Sequence, residues 1–187
     1  MKLRFCESRI EELAKAYVDD QTEKYPEKRE LENRLFALQS TVQEQRYMNF
    51  CQLRILAEWK LPRALRHIDK NDIDDNSRAF LKMITGQAFE AKPDWSKLMT
   101  LTVLPGVGES VASAILHFFD DADYPIMDRN AERSVGLDGD SGQIYPLWQK
   151  YVNYCREIVN RRAIDMRILD RALWKFPYTE EGKALRK

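Results

Sequence analysis

Apolar residues recur at three- to four-residue intervals from Ile10 to Phe176, and no stretch of useful length alternates with period two. Each segment therefore carries the single apolar stripe of a helix rather than the two-faced alternation of a half-buried strand, and the expected fold class is all-α. Stripes over residues 10–18 and 31–38 are separated by Tyr25-Pro26. A longer helix is expected over 42–59, with Met48, Cys51, Ile55, Leu56 and Trp59 facing inward. Asn71 and Asp72 read as the cap of a helix reaching Phe89, and residues 145–159 and 163–176 read as the last two helices. Residues 136–142 are the loop richest in turn formers, and there is no repeat or low-complexity segment.

Within this helical pattern one interruption is chemically specific. Residues 94–103 place Asp94 as an expected N-cap before Trp95, Leu98, Met99 and Leu101, then Leu104-Pro105-Gly106-Val107-Gly108 breaks the pattern. Residues 109–119 resume it, with Val111, Ala112, Ile115, Leu116 and Phe119 on one face, so the local reading is helix, tight hairpin, helix. Two glycines let the backbone turn sharply and approach a ligand. The unpaired amides that open the second helix favour an anion, for which a nucleic-acid phosphate is the natural candidate. An ordinary turn between packed helices is the alternative. Asp128, in Tyr124-Pro125-Ile126-Met127-Asp128, follows Gly108 by 20 positions. As a residue type it is also a good N-cap for a helix starting near Arg129.

Leu104 to Arg133 resembles the helix-hairpin-helix DNA glycosylase superfamily, in which such a hairpin precedes a Gly/Pro-containing loop and an essential aspartate. Asp128-Arg129-Asn130-Ala131-Glu132-Arg133 aligns with that family's Asp-x-His/Asn-x-x-Arg pattern. Trp59-Lys60-Leu61-Pro62-Arg63 and Leu169-Asp170-Arg171-Ala172-Leu173-Trp174 are similar to segments of its bacterial-type members, so a thinner likeness covers roughly residues 45–177. The first 40 residues have no such match. The resemblance implies two helical lobes with a cleft between them. Residues 1–41 would join 138–187 in a terminal lobe, and 42–137 would form a helical barrel lobe containing the hairpin unit 94–119 and a catalytic loop 120–128.

It also implies a reaction. Asp128 would be catalytic, and Leu104, Gly106, Val107, Gly108 and Ser110 would bind DNA, taken as duplex with one nucleotide flipped out of the stack. Members that also cut the strand carry a lysine two residues after the second hairpin glycine, where this chain has Ser110. Base removal that leaves an abasic site without strand cleavage is therefore expected, in base-excision repair or in defence against phage DNA. The iron-sulfur loop of many relatives needs four closely spaced cysteines, and this chain has only Cys6, Cys51 and Cys155. No cofactor is expected to be required; relatives admit a monovalent cation at the hairpin.

Thirty Lys+Arg balance thirty Asp+Glu, so DNA affinity must come from a local patch. Residues 156–187 hold nine cations (Arg156, Arg161, Arg162, Arg167, Arg171, Lys175, Lys183, Arg186, Lys187) against five acids, and Arg54, Lys60, Arg63 and Arg66 form a second cluster. Asp120, Asp121, Asp123, Asp138 and Asp140 are expected to face solvent in loops. Lys60 and Arg63 are candidate DNA contacts, with surface solvation the alternative. Trp59, Glu58 and Asn130 are candidate pocket residues, Asn130 more structural than reactive. Trp59, Trp95, Trp148 and Trp174 all fall on apolar faces, as core residues first. His67 and His117 lack a metal-spaced partner. Scattered cysteines and the absence of a long apolar run point to a cytoplasmic protein without a membrane partner; the resemblance implies a bacterial or phage-related protein, expected to be a monomer. A noncatalytic helix-hairpin-helix DNA-binding protein and a helical partner-binding protein remain the alternatives.

Overall fold

The computed structural model describes residues 1–64, 74–137 and 144–185. Among them every regular element is helical: α1 (Ile10–Lys24), α2 (Pro26–Gln45), α3 (Phe50–Lys60), α4 (Asp75–Glu90), α5 (Asp94–Leu101), α6 (Glu109–Phe119), α7 (Arg129–Ser134), α8 (Ile144–Arg162), α9 (Met166–Lys175) and α10 (Glu180–Ala184), with short 3-10 turns at Glu7–Arg9, Pro62–Ala64 and Phe176–Tyr178. No helix of the described residues is long and apolar enough to cross a membrane. Arg66, His67, Asn71, Asp72, Asp138, Asp140, Arg186 and Lys187 lie outside the described residues.

The helices divide into two compact units, one of residues 1–26 and 124–187 and the other of residues 27–123. The changeovers lie at Pro26/Glu27 and Asp123/Tyr124, where the sequence reading divides the chain at 41/42 and 137/138. Pro26, the first residue of α2, suits a helix start because its missing N–H has no intrahelical partner there.

The unit of residues 27–123 is built around α6. Eight of its eleven residues are buried, and Phe118 receives Phe36 and Trp59 edge-on at centroid distances of 5.3 and 5.2 Å. Leu35, Val42, Met48, Leu56, Leu98 and Leu101 complete the core. The single helix expected over 42–59 is broken. Arg46 takes a left-handed φ of 58° and its amide bonds back to Val42 O at 2.9 Å, closing α2. Asn49 and Gln52 then open α3 with a reciprocal capping box, Asn49 Oδ1 accepting from Gln52 N at 3.0 Å and Gln52 Oε1 from Asn49 N at 2.7 Å. The break turns Cys51 outward and leaves Ile55 half-buried, against the expected inward face. For α4 the described cap is Asp74, whose carboxylate accepts from Ser77 N at 2.7 Å. Asp94 proves to be the first residue of α5 rather than its cap, the N-cap position being Pro93. Trp95, expected in the core, is 38% exposed on α5, with Met99 also exposed.

In the other unit α1 packs along α9, with Tyr17 edge-on to Trp174 at 5.3 Å. Ile10, Leu13, Trp148, Tyr151, Leu169 and Leu173 form the core. The segment before α1 is held by Lys2 N to Val135 O (3.1 Å), Arg4 N to Ser134 O (2.9 Å) and Leu3 N to Tyr154 Oη (2.7 Å). Helix α8 stops at Arg162 because Ala163 takes a φ of 51°, with Ile164 N bonding back to Val159 O at 3.2 Å, so α9 starts at Met166 and not at residue 163.

Candidate functional site

The hairpin forms between α5 and α6. Leu104 N bonds to Leu101 O (3.1 Å) and Val107 N to Leu104 O (3.0 Å), which tightens the chain as it leaves α5. Pro105 has no amide to place, and Gly106 makes the reversal at a φ of +80°. Leu104 and Val107 are buried and pin the turn to the core. Gly108 then occupies the N-cap of α6, its carbonyl accepting from Val111 N (3.0 Å) and Ala112 N (2.9 Å). The amides of Gly106, Gly108, Glu109 and Ser110 have no hydrogen-bond partner among the described residues. Four donors at the positive end of an eleven-residue helix are an anion-binding arrangement.

The two glycines differ in what requires them. At Gly106 the left-handed backbone disfavours a side chain on conformational grounds. Gly108 has φ −89° and ψ −178°, which any residue adopts, and an added Cβ would meet nothing within 4 Å. No steric contact among the described residues demands a glycine there. Gly106→Ala is therefore expected to cost about 1–2 kcal/mol of stability. Gly108→Ala is expected to leave stability within about 1 kcal/mol of wild type or raise it, while weakening binding of a duplex oligonucleotide. Denaturant unfolding and a DNA titration on the same two variants check both halves.

The hairpin faces an open concavity of about 510 Å³. Gly106, Gly108 and Thr102 line one side, Leu104 and Val107 contribute apolar walls, and Arg63 enters from the 3-10 turn that follows α3. That turn is anchored by Lys28, whose ammonium donates to Glu58 O (2.5 Å) and Trp59 O (2.7 Å) at the negative end of α3. Partial burial lowers the Lys28 pKa from its ordinary value. Of the other predicted residues nearby, Glu58 is exposed, Trp59 is buried against Phe118, and Lys60 lies over the Trp59 ring at 5.8 Å. None of the three lines the concavity. Thr102 does, and its sequence position at the end of α5 gives no signal of it.

Behind the hairpin, Asp120, expected to face solvent, instead helps to hold the unit together, while Asp121 is exposed as expected. Asp120 is buried and accepts from Lys97 Nζ at 2.6 Å and from Ala122 N at 3.0 Å, while Lys97 also donates to Phe89 O at 2.9 Å. This ties α5 to the end of α6. Asp121 pairs with Arg46, which also reaches Glu90 at 3.2 Å. Asp123 is exposed. Ser110 is half-buried beside the hairpin and brings no amine to it. The nearby amine of Lys97 is held in the ion pair.

Asp128 belongs to the other unit. Tyr124, Ile126 and Met127 are all buried as the chain approaches it, Tyr124 stacked on Trp148 (6.2 Å, 16°) under the Arg156 guanidinium (4.7 Å). Ile126 is gripped on both polar atoms: its N–H donates to Asp170 Oδ1 at 3.0 Å and its carbonyl accepts from Tyr151 Oη at 3.1 Å. Burial, followed by the neighbouring Cys155 thiol and Asp170, holds the Tyr151 pKa well above its ordinary value, so the hydroxyl remains a donor. Burial likewise pushes the Cys155 thiol up. Asp128 is half-buried and caps α7, with Oδ1 accepting from Asn130 N and Ala131 N at 3.0 Å each. Asn130 in turn donates to Tyr178 Oη at 3.4 Å, a structural contact.

Five of the nine C-terminal cations are engaged in ion pairs. Arg161 pairs with Glu7 (2.6 Å), Arg162 with Glu11 (3.0 Å) and Lys183 with Glu180 (2.6 Å), while Arg167 pairs with Asp170 and Lys175 with Asp20. Their sequence bias toward positive charge is answered by acids from the N-terminal helices and from neighbouring turns. Half-buried His117 lies edge-on to Phe118 at 5.1 Å, and no group of three His, Cys, Asp or Glu suited to a metal occurs among the described residues. No protein-family profile, curated protein or solved structure matches the chain.

Proposed function

We propose that the protein is a monofunctional DNA glycosylase of the helix-hairpin-helix type. The observation that carries this reading is the hairpin: four amides without a partner among the described residues, and a Gly108 that no contact among them requires, beside a concavity lined by Arg63. A phosphate held by those amides anchors the strand, and Arg63 supplies charge to it. The target nucleotide leaves the stack, since the glycosidic bond is unreachable inside the duplex. The C1′–N bond then breaks with its electron pair going to the base. The sugar gains oxocarbenium character, which ionised Asp128 stabilises by about 4 kcal/mol for a separation near 4 Å at an effective dielectric near 20. Water adds at C1′, its proton is lost, and the base leaves protonated on its ring. The product is an abasic site in an intact strand.

Strand cleavage through a Schiff base is not part of this reading, because Ser110 stands where an attacking amine is needed and Lys97 is committed to Asp120. Treated duplexes analysed on denaturing gels test this: strands stay full length until alkali cuts at abasic sites, and borohydride traps no covalent protein–DNA adduct. Spontaneous cleavage with borohydride trapping would instead require an amine nucleophile. A second reading, DNA binding without catalysis, is favoured by the capping bonds that Asp128 already makes to α7. It predicts salt-sensitive DNA binding and no abasic product from any modified duplex.

A further inference from the structure

We infer that Asp170 and Tyr151 are positioning residues for Asp128, acting through a clamp on Ile126; this rests on the glycosylase reading for its catalytic consequence but not for the clamp itself. Asp170 and Arg167 are side chains only 7% and 10% exposed, on a helix whose buried residues are otherwise Met166, Leu169, Ala172 and Leu173. A carboxylate there is costly unless it is paired and hydrogen-bonded. Asp170 is both: one oxygen meets Arg167, and the other accepts the Ile126 amide, which is remote from it in sequence. Arg167 is itself braced over the Tyr17 ring at 5.6 Å. Tyr151, from α8, closes the opposite side by donating to the Ile126 carbonyl.

Two helices thus fix a single loop residue at both its donor and its acceptor. Two residues later the chain presents Asp128, held from the far side by its capping bonds and by Glu132 N to Asp128 O at 2.8 Å. Fixing both flanks leaves the carboxylate little freedom to drift. Charge stabilisation depends on such placement, since a misplacement of about 1 Å costs on the order of a hundredfold in rate.

The test uses Tyr151→Phe, which removes only the hydroxyl, and Asp170→Asn, which replaces the charged acceptor of the Ile126 amide with a weaker neutral one and releases Arg167. Amide exchange at Ile126, Met127 and Asp128 is read by NMR on the protein alone. Both variants are expected to exchange at Ile126 at least about tenfold faster than wild type, with the core amides of α6 unchanged. Single-turnover base release is then measured on whichever duplex of an alkylated, deaminated, adenine-mismatched and phage-modified panel the wild type processes fastest. The rate constant is expected to fall about ten- to a hundredfold at unchanged DNA Kd, with Tyr151→Phe/Asp170→Asn no worse than the product of the single losses. Unchanged Ile126 exchange in both variants overturns the clamp. Faster exchange with unchanged base release, or a rate loss matched by equal loss of DNA affinity, overturns the positioning role. If the wild type releases no base from any duplex, the glycosylase reading fails and the exchange data alone decide the clamp.

Discussion

Asp128→Asn is expected to lose about a thousandfold in base release, the factor that corresponds to about 4 kcal/mol of lost transition-state stabilisation. The variant is informative because Asn keeps what else Asp128 does. Its side-chain oxygen still accepts from Asn130 N and Ala131 N, and Asn ranks with Asp as an N-cap. What is lost structurally is a negative charge at the start of α7, about 0.3–1 kcal/mol. Removal of an acid also cannot weaken attraction to phosphate, so DNA affinity should hold or rise slightly. A rate within a fewfold of wild type, measured in single turnover with Kd in parallel, contradicts a catalytic Asp128. Asp128→Ala would mix cap loss with charge loss and is the poorer probe.

The second large effect is on stability. Lys97→Met removes the ammonium that faces Asp120, leaving a carboxylate whose side chain is 3% exposed with Ala122 N as its remaining described donor. Breaking a buried ion pair from one side costs about 3–5 kcal/mol, a large share of a typical folding free energy. Lys97→Met/Asp120→Asn should recover to within about 1–2 kcal/mol of wild type, because the amide oxygen still takes the Ala122 bond and no charge is stranded. Denaturant unfolding of the two variants checks this. A Lys97→Met variant within about 0.5 kcal/mol of wild type would mean that the pair is solvated, contrary to its 12% and 3% exposures.

Helical class, the boundaries of α6 and the breaking residues of the hairpin were legible because each rests on local chemistry: apolar period, proline and glycine. The missed boundaries have one cause in common. Arg46 and Ala163 end helices in the left-handed region where glycine is the usual residue, so neither carries the expected stop signal. The Asn49–Gln52 capping box was present in the sequence as a start signal inside the stretch read as one helix. Charge was the least legible property. Asp120, Arg161, Arg162 and Lys175 read as solvated or DNA-facing because their partners are 23, 154, 151 and 155 residues away in the chain. Asp170 did leave a trace, an acid among the apolar positions of an amphipathic helix, which on energetic grounds needs a buried partner.

The near-zero net charge bears on binding rather than on chemistry. On the proposed reading, with Arg161, Arg162 and Lys175 paired internally, the hairpin amides and Arg63 are a described contact for phosphate. A small number of charged contacts means a shallow dependence of log affinity on log salt. On that reading, specific recognition of a flipped base contributes much of the affinity.

The most direct test of catalytic base excision is free base itself. Wild-type protein and Asp128→Asn are incubated with duplexes carrying alkylated purines, deaminated bases, adenine mismatches or bulky phage-type pyrimidines, and small molecules in the supernatant are read by mass spectrometry. The expected result is one class of free base from the wild type, none above background from Asp128→Asn, and strands that stay intact until alkali is added. No free base from any duplex, or equal release by both proteins, would contradict the assignment of Asp128 and the hairpin to base excision.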